Sequence, residues 1–394
     1  MSRPLIVDAD AHVNPPPTFW ADYLPMHLRE LAPRLEHGDD ADYVVFEGAR
    51  KKVNLINAQA GRAGKDYKMT GRLSETRQGG WMPGARLADM DTDGIDVAVL
   101  FGGGPLGTRN DELFMASFEA YNRWLADFCA YAPDRFTGVA YVPMRDVEET
   151  VRVMREAAAM GFTVVNIPAF PQKPGPIDVS SPFAAQGLAL TGDPTGGRTY
   201  DNPEFDPIWQ AATDLDMAIS IHLGARIPRF TEPDKLLMDM PMSKVAMIEP
   251  IATLIYGAVF QRFPNLRFAT VESGVGWFAW LAGYMDATWK KQRFWTDSPL
   301  TEPPSFYMDQ NVYGSFIDEV AGILLRDLPG GRNIMWSSDY PHSETTYPES
   351  QAVIDRIFKG VPEADKRMII GERARKVFRT GEGRARPAAS AAAE

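Results

Sequence analysis

The chain has a single cysteine, Cys129, among 394 residues. That excludes an internal disulfide framework and any thiolate-held metal cluster, so a metal site here has to be built from imidazole and carboxylate. Cys129 itself ends the run Trp124-Leu125-Ala126-Asp127-Phe128-Cys129 and reads as core. No run approaches the ~20 apolar residues that span a bilayer. The N-terminal residues enter a strand-like run without a signal-peptide pattern, so a cytoplasmic enzyme is expected. An excess of positive charge is also missing. The 41 basic and 52 acidic side chains leave a net charge of -11, which argues against nucleic acid or an anionic membrane as the principal partner and otherwise signals solubility. No internal repeat is visible.

What the chain does have is apolar residues, 45% of the total, enough for a large core in one barrel with insertions or in two ordinary domains. Short β-rich runs alternate with helical stretches, the pattern of a parallel sheet wound with helices. The strands predicted are Leu5–Ala9, Val97–Phe101, Thr137–Val142, Thr163–Ile167, Ala218–Ile221, Arg267–Val271, Val312–Phe316 and Ile334–Ser337. Eight such strands suggest a closed barrel. Helices are predicted over Asp111–Tyr131, Val147–Met160, Phe205–Leu215, Lys244–Phe263, Trp277–Gln292, Glu319–Leu328 and Ser350–Phe358, punctuated by Pro133, Gly161, Pro264 and Asn265. Three Pro-, Gly- or charge-rich segments break the rhythm: Pro15–Gly84, Pro171–Asn202 and Arg226–Ser243. Insertions after barrel strands lie on the catalytic face, where they shape the pocket. One domain over 1–380 is expected, with 381–394 a disordered tail.

Histidine is scarce, five in all, and three of the five end apolar strands. Leu5-Ile6-Val7-Asp8-Ala9-Asp10-Ala11-His12 puts Asp8, Asp10 and His12 at period two on one face of an extended segment. Two carboxylates buried side by side are costly unless a cation or hydrogen-bond donors offset the repulsion. A metal ion would do so, and so would a plain Asp–His pair before Pro15-Pro16-Pro17. His222 stands where Ile219-Ser220-Ile221 becomes a Gly-containing loop, a place more often held by a satisfied core histidine than by a ligand. Met335-Trp336-Ser337-Ser338-Asp339-Tyr340-Pro341-His342 projects Asp339 at the top of a barrel, facing the first strand, because closure makes strands one and eight neighbours. An Asx turn would explain Asp339 as well, and His342 is either a contact to ligands or substrate or a surface residue. Together, Asp10, His12, His222 and Asp339 give two imidazoles and two carboxylates, a set suited to zinc, with manganese and iron also accepted. Such an ion acidifies bound water or polarises a carbonyl. Glu272, ending Arg267-Phe268-Ala269-Thr270-Val271, is a general base, a further ligand, or the partner of an Arg on a neighbouring loop.

These residues resemble the amidohydrolase-related family that contains aminocarboxymuconate-semialdehyde decarboxylase and the resorcylate and carboxyvanillate decarboxylases. The resemblance is carried by Val7-Asp8-Ala9-Asp10-Ala11-His12, Ile221-His222, Ser338-Asp339-Tyr340-Pro341-His342 and the closing stretch Ile370-Gly371-Glu372-Arg373-Ala374-Arg375-Lys376-Val377-Phe378, where Glu372-Arg373 replaces the family's usual Glu-Asn. It implies a (β/α)8 TIM barrel, Asp10, His12, His222 and Asp339 as ligands of one divalent ion, Asp339 or its neighbour as the proton-handling group, and a homodimer or higher homo-oligomer. Two departures matter. Glu272-Ser273-Gly274 stands where many members carry His-x-Gly, and Asp10 stands where the superfamily's hydrolases carry His. The second is closer to the aromatic acid decarboxylases. Thr163-Val164-Val165-Asn166-Ile167 offers no Lys to carbamylate and bridge two metals, so a mononuclear site follows.

The leading expectation is a non-oxidative decarboxylase or C–C lyase of a small, oxygenated aromatic or unsaturated carboxylic acid, with Asp339 or Glu272 protonating the carbon. A hydrolase using metal-bound hydroxide on an amide, lactone or C–C bond needs the same ligands. An inactive barrel that only binds is a third reading, against which the four retained ligands argue. Trp277, Trp280 and Trp289 could sandwich a ring, but Trp at helical spacing is more often core.

Overall fold

The computed structural model describes residues 3–177, 191–193, 197–222 and 236–381. All eight expected strands are present: β1 (Val7–Val13), β2 (Val97–Gly102), β3 (Phe136–Gly138, continued by Ala140–Tyr141), β4 (Val164–Asn166), β5 (Ala218–His222), β6 (Phe268–Val271), β7 (Val312–Phe316) and β8 (Ile334–Trp336). Each pairs in parallel with its sequence neighbours, β3 changing partner from β2 to β4 at Val139. Between β8 and β1 the ring closes through residues beyond β8. The Asp339 N–H donates to the Asp10 carbonyl (2.9 Å) and the His12 N–H to the Tyr340 carbonyl (2.5 Å). The architecture is an α/β TIM barrel.

β1 carries the irregularity that shapes the site. Val7 lies opposite Val97 and Asp8 opposite Ala98, but Ala11 lies opposite Leu100, so Ala9 and Asp10 face Val99 alone. An extra residue of this kind inverts the alternation of side chains downstream. Val7 and Ala9 accordingly face the barrel interior, whereas Ala11 and Val13 face the helical shell, and Asp10 and His12 both turn inward. The expectation that Asp8 would share their face is therefore incorrect. Asp8 lies on the other side, buried, and accepts hydrogen bonds from the Ser338 N–H (2.8 Å) and the Ser338 hydroxyl. Burial pushes its carboxyl up to about 7 in spite of those bonds.

The barrel is filled. Val7, Ala9, Val99, Val139, Val164, Ala218, Ala269 and Met335 form its inner cluster, joined by Ala374, Val377 and Phe378 of the closing helix Arg373–Phe378. That helix seals the N-terminal end of the strands, where Thr163 Oγ1 donates to the Phe378 carbonyl (2.6 Å). A larger cluster fills the space between strands and helices, with Cys129 half-buried against it.

Helices follow the strands closely to expectation, as in Asp111–Ala130, capped by the Asn110 side chain on the Leu113 N–H (2.9 Å), and Val147–Ala159. The expected helix Lys244–Phe263 is instead split. Lys244 belongs to Leu236–Val245, and Ile248–Tyr256 is parted from Val259–Arg262 by Ala258 at φ 58°. Pro15–Gly84 holds an antiparallel sheet, Arg34–His37, Asp42–Phe46, Ala49–Asn54 and Thr70–Gly71, that periodicity did not reveal. Its tight hairpin turns at Glu47 (φ 47°) and Gly48 (φ 77°), both in the left-handed region that two-residue loops require. The segment does lie on the catalytic face. Asn14 N–H donates to the Gly80 carbonyl (2.6 Å), Ala60 N–H to Pro341 (3.0 Å) and Ser343 N–H to Ile56 (2.9 Å). Half of Pro171–Asn202, residues 226–235 and the tail from 382 lie outside the described residues. No helix among the described residues is long and apolar enough to cross a membrane.

Gly371 marks the tightest approach of the closing segment to β1: a Cβ there would sit 2.2 Å from the Leu5 carbonyl oxygen. Backbone cannot step aside as a side-chain tip can. Gly371→Ala is expected to destabilise the protein by about 1–3 kcal/mol, read as a lower urea midpoint at unchanged slope.

Candidate metal centre

Four strand ends deliver the polar residues of the barrel mouth. β1 supplies Asp10 and His12 through its bulge, and β5 ends on His222. Glu272 follows β6, and Asp339 with His342 follows β8. Glu272 and Asp339 both take left-handed backbone conformations, φ 55° and 58°. For a non-glycine residue this costs of order 1–3 kcal/mol and persists only where the surroundings impose it. The surroundings are visible: Glu272 N–H donates to Ser315 Oγ on β7 (2.9 Å), and Asp339 N–H is taken by Asp10. Both carboxylates are thereby aimed inward, at a point off the end of each strand.

The side chains are buried and close. His12 Nε2 lies 3.1 Å from Asp339 Oδ1, 3.3 Å from Asp10 Oδ1 and 3.7 Å from Glu272 Oε2, while His222 Nε2 lies 3.3 Å from Asp10 Oδ1 and 3.4 Å from Glu272 Oε2. None of these contacts is aligned as a hydrogen bond. Both oxygens of Asp10 and of Asp339, Glu272 Oε2, and Nε2 of His12 and His222 are all buried without a hydrogen-bond partner among the described residues. Each such atom costs about 1–3 kcal/mol, so seven at one place demand an occupant. The spacing says which kind. Two ligands each ~2.1 Å from a common ion and ~90–110° apart are roughly 3.0–3.4 Å from one another, which matches the shorter separations here. The atoms form two overlapping sets, Asp10-His12-His222-Glu272 and His12-Glu272-Asp339-His342, each within 4.8 Å. Imidazole and carboxylate in this ratio suit a first-row divalent cation.

Without a cation the groups can only pair among themselves. Burial by itself would depress the His12 imidazole, but Asp10 and Asp339 outweigh it and hold the ring up at about 10. Burial would likewise raise both aspartates; instead His342 and His12 hold Asp339 near 2, and His222 with His12 keep Asp10 well below the carboxylate range. The rings are packed to match. His342 stacks on His12 at 3.7 Å, His222 meets His12 edge-on at 4.8 Å, and Phe101 closes one side 5.0 Å from His222.

The structure thus brings together all six residues singled out in the sequence, Asp10, His12, His222, Glu272, Asp339 and His342. It also settles what pairs with Glu272 on its outer side. No arginine does so among the described residues; Lys244 Nζ donates to Oε1 (2.8 Å) and stands 3.5 Å from Glu344 Oε2. Neither Lys244 nor Glu344 was legible in the sequence, because one sits on a helix without a motif and the other in a turn. A third omission is Arg86, fully buried, which donates to the carbonyls of His12 and Gly79 (2.7 Å for the latter) and lies 4.2 Å from the Tyr340 ring centre. It braces the β1–β8 joint from behind. The tryptophans take no part in this cluster: Trp277 and Trp289 pack on the core and Trp280 is 58% exposed.

The model of the family described as amidohydrolase matches residues 7–380. The chain belongs to the amidohydrolase family. It is 24% identical over 299 residues to the 2-amino-3-carboxymuconate-6-semialdehyde decarboxylase of Dictyostelium discoideum, covering 72% of each protein. Among solved structures, an amidohydrolase of Mycobacterium avium subsp. paratuberculosis superposes with a TM-score of 0.70 at 19% identity, over 96% of this chain and 98% of that one. The 5-carboxyvanillate decarboxylase of Novosphingobium aromaticivorans, complexed with manganese and 4-hydroxy-3-methoxy-5-nitrobenzoic acid, superposes at 0.57 with 24% identity, over 75% of this chain and 79% of that one. The amidohydrolase barrel thus holds at low identity, as expected when core volume and strand-end geometry are kept rather than individual residues.

An ion that binds the folded centre alone must stabilise the fold. At a free concentration a hundred times its Kd, manganese or zinc should add about 2.7 kcal/mol, seen as a rise in melting temperature that a chelator reverses. The Asp339→Asn, His222→Ala double variant should show no rise, and its elemental analysis should lack the one equivalent expected in the parent.

Proposed function

We propose that this amidohydrolase-family chain is a metal-dependent, non-oxidative decarboxylase of a small, planar, oxygenated carboxylic acid. The observation that carries the reading is the convergence of unpartnered buried atoms from Asp10, His12, His222, Glu272 and Asp339. It is supported by likeness to proteins described as decarboxylases of carboxylated aromatic or muconate compounds. Asp10, His12, His222 and Asp339 would hold one divalent ion, with Glu272 beside them. Zinc suits two imidazoles, and manganese, found with the Novosphingobium enzyme, suits the carboxylates. When bound, the ion supplies Lewis acidity and a docking point for substrate oxygens.

The remaining work falls to the chain's own residues. Phe101 and the stacked rings of His12 and His342 give a planar substrate flat walls and keep bulk water from one side. In the reaction the bond from ring or vinyl carbon to the carboxylate breaks, its electron pair stays on that carbon, and carbon dioxide leaves. The carbon then takes a proton, so nothing is oxidised or reduced. In this reading Asp339 delivers that proton together with His342, whose Nδ1 lies 3.1 Å from Asp339 Oδ1. The departure at the sixth strand fits this assignment, since Glu272 is engaged by Lys244 on its outer oxygen.

The test is a panel of hydroxylated benzoic and unsaturated dicarboxylic acids, run in deuterated water with metal-replete protein. One carbon dioxide and one product bearing a solvent deuteron at the vacated carbon are expected. Asp339→Asn should lower kcat by about 10²–10⁴, the usual range for a removed acid–base group. A product carrying oxygen from water, with no carbon dioxide released, would make the enzyme a hydrolase.

A further inference from the structure

The two oxygens of Glu272 live in different surroundings. Oε1 accepts from Lys244 Nζ at 2.8 Å, while Oε2 has no hydrogen-bond partner among the described residues and lies 3.4 Å from His222 Nε2 and 3.7 Å from His12 Nε2. The left-handed backbone at φ 55° and the Ser315 anchor fix where this side chain leaves the strand, and the bond to Lys244 sets which oxygen turns inward. Lys244 reaches it from a separate element, the helix Leu236–Val245, and also spans to Glu344 in the turn after β8. Surface ion pairs are worth little, but this one is withdrawn from solvent, with 23% of the Lys244 side chain and 5% of Glu272 exposed. A carboxylate beside a cation can bind through one oxygen or both. Which it does decides how many positions remain for a substrate, and a catalytic site must keep one open.

We propose that Lys244 is a positioning residue: by occupying Oε1 it restricts Glu272 to a single oxygen toward the metal centre and so preserves the coordination position that substrate oxygens need. The inference rests on the metal-centre reading given above. Without the ammonium, Glu272 is free to turn both oxygens inward and close that position. Lys244 need not touch substrate to do this; it acts through Glu272.

The experiment loads apo-protein with manganese as the probe ion and measures two things. Free ion is followed by its electron paramagnetic resonance signal, and exchangeable water on the bound ion by solvent proton relaxation. The parent is expected to bind manganese with water in exchange. Lys244→Met should bind manganese but lose the relaxation of one exchangeable water, with a drop of about 10–100-fold in affinity for 2-hydroxybenzoate as a probe of the open position, the range seen when partners of metal ligands are removed. Lys244→Arg should restore both. In a Glu272→Gln background, where the side-chain nitrogen cannot chelate, Lys244→Met should change neither. Relaxation equal in the parent and Lys244→Met, or a further loss in the Glu272→Gln background, would overturn the inference while leaving the metal centre standing. No manganese bound by the parent would overturn the metal-centre reading itself. Circular dichroism on each variant separates these outcomes from misfolding, and Lys244→Arg keeps the test decisive should Lys244→Met fail to fold.

Discussion

Everything at the mouth of this barrel follows from one electrostatic constraint: Asp10, Glu272 and Asp339 are all buried within a few ångströms of the His12 imidazole. In a dry interior such a group of carboxylates repels itself, and of their oxygens only Glu272 Oε1 accepts a side-chain hydrogen bond among the described residues. The fold nonetheless enforces the arrangement, through a bulge in β1 and two left-handed residues at strand ends. A chain that accepts strain to hold like charges together is organised for a cation. The imidazoles fix where that cation sits, and Lys244 and Glu344 outside them balance the periphery.

The eight strands were legible because a parallel barrel buries both faces of every strand, so each reads as a short apolar run with a polar residue at its end. The site was legible for the same reason. His222, Glu272 and Asp339 stand out where an apolar run stops. What failed was parity. Strict alternation put Asp8 with Asp10 and His12, but one extra residue between Asp8 and Ala11 turned Asp8 outward, toward Ser338. No composition signal announces a bulge in an Asp-Ala-Asp-Ala-His sequence. Lys244 was missed for a different reason: its partner lies 28 residues away in sequence and across a strand, and a lysine on a helix looks like any solvated lysine until the fold brings a carboxylate to it.

The insertion after β1 shows how local rules and tertiary contacts divide the labour. Its hairpin is made by Glu47 and Gly48, but its place is fixed by bonds to the loop after β8 and by Arg77. The guanidinium of Arg77 grips Asp89 (2.9 and 2.5 Å), which in turn accepts from the hydroxyls of Tyr340 and Tyr347. With Arg86 holding the His12 carbonyl, these residues form a polar brace behind the joint of β1 and β8. Such networks stiffen a site when every member is satisfied.

That joint also ties the two strands of the ring most distant in sequence to each other. Asp10 and His12 stand on the first strand and Asp339 follows the eighth, and the Asp339–Asp10 and Tyr340–His12 backbone bonds are what bring them together. Without β8 and the turn after it the barrel would lack both its closing bonds and Asp339 with His342, so closing the ring and assembling the cluster are one and the same event.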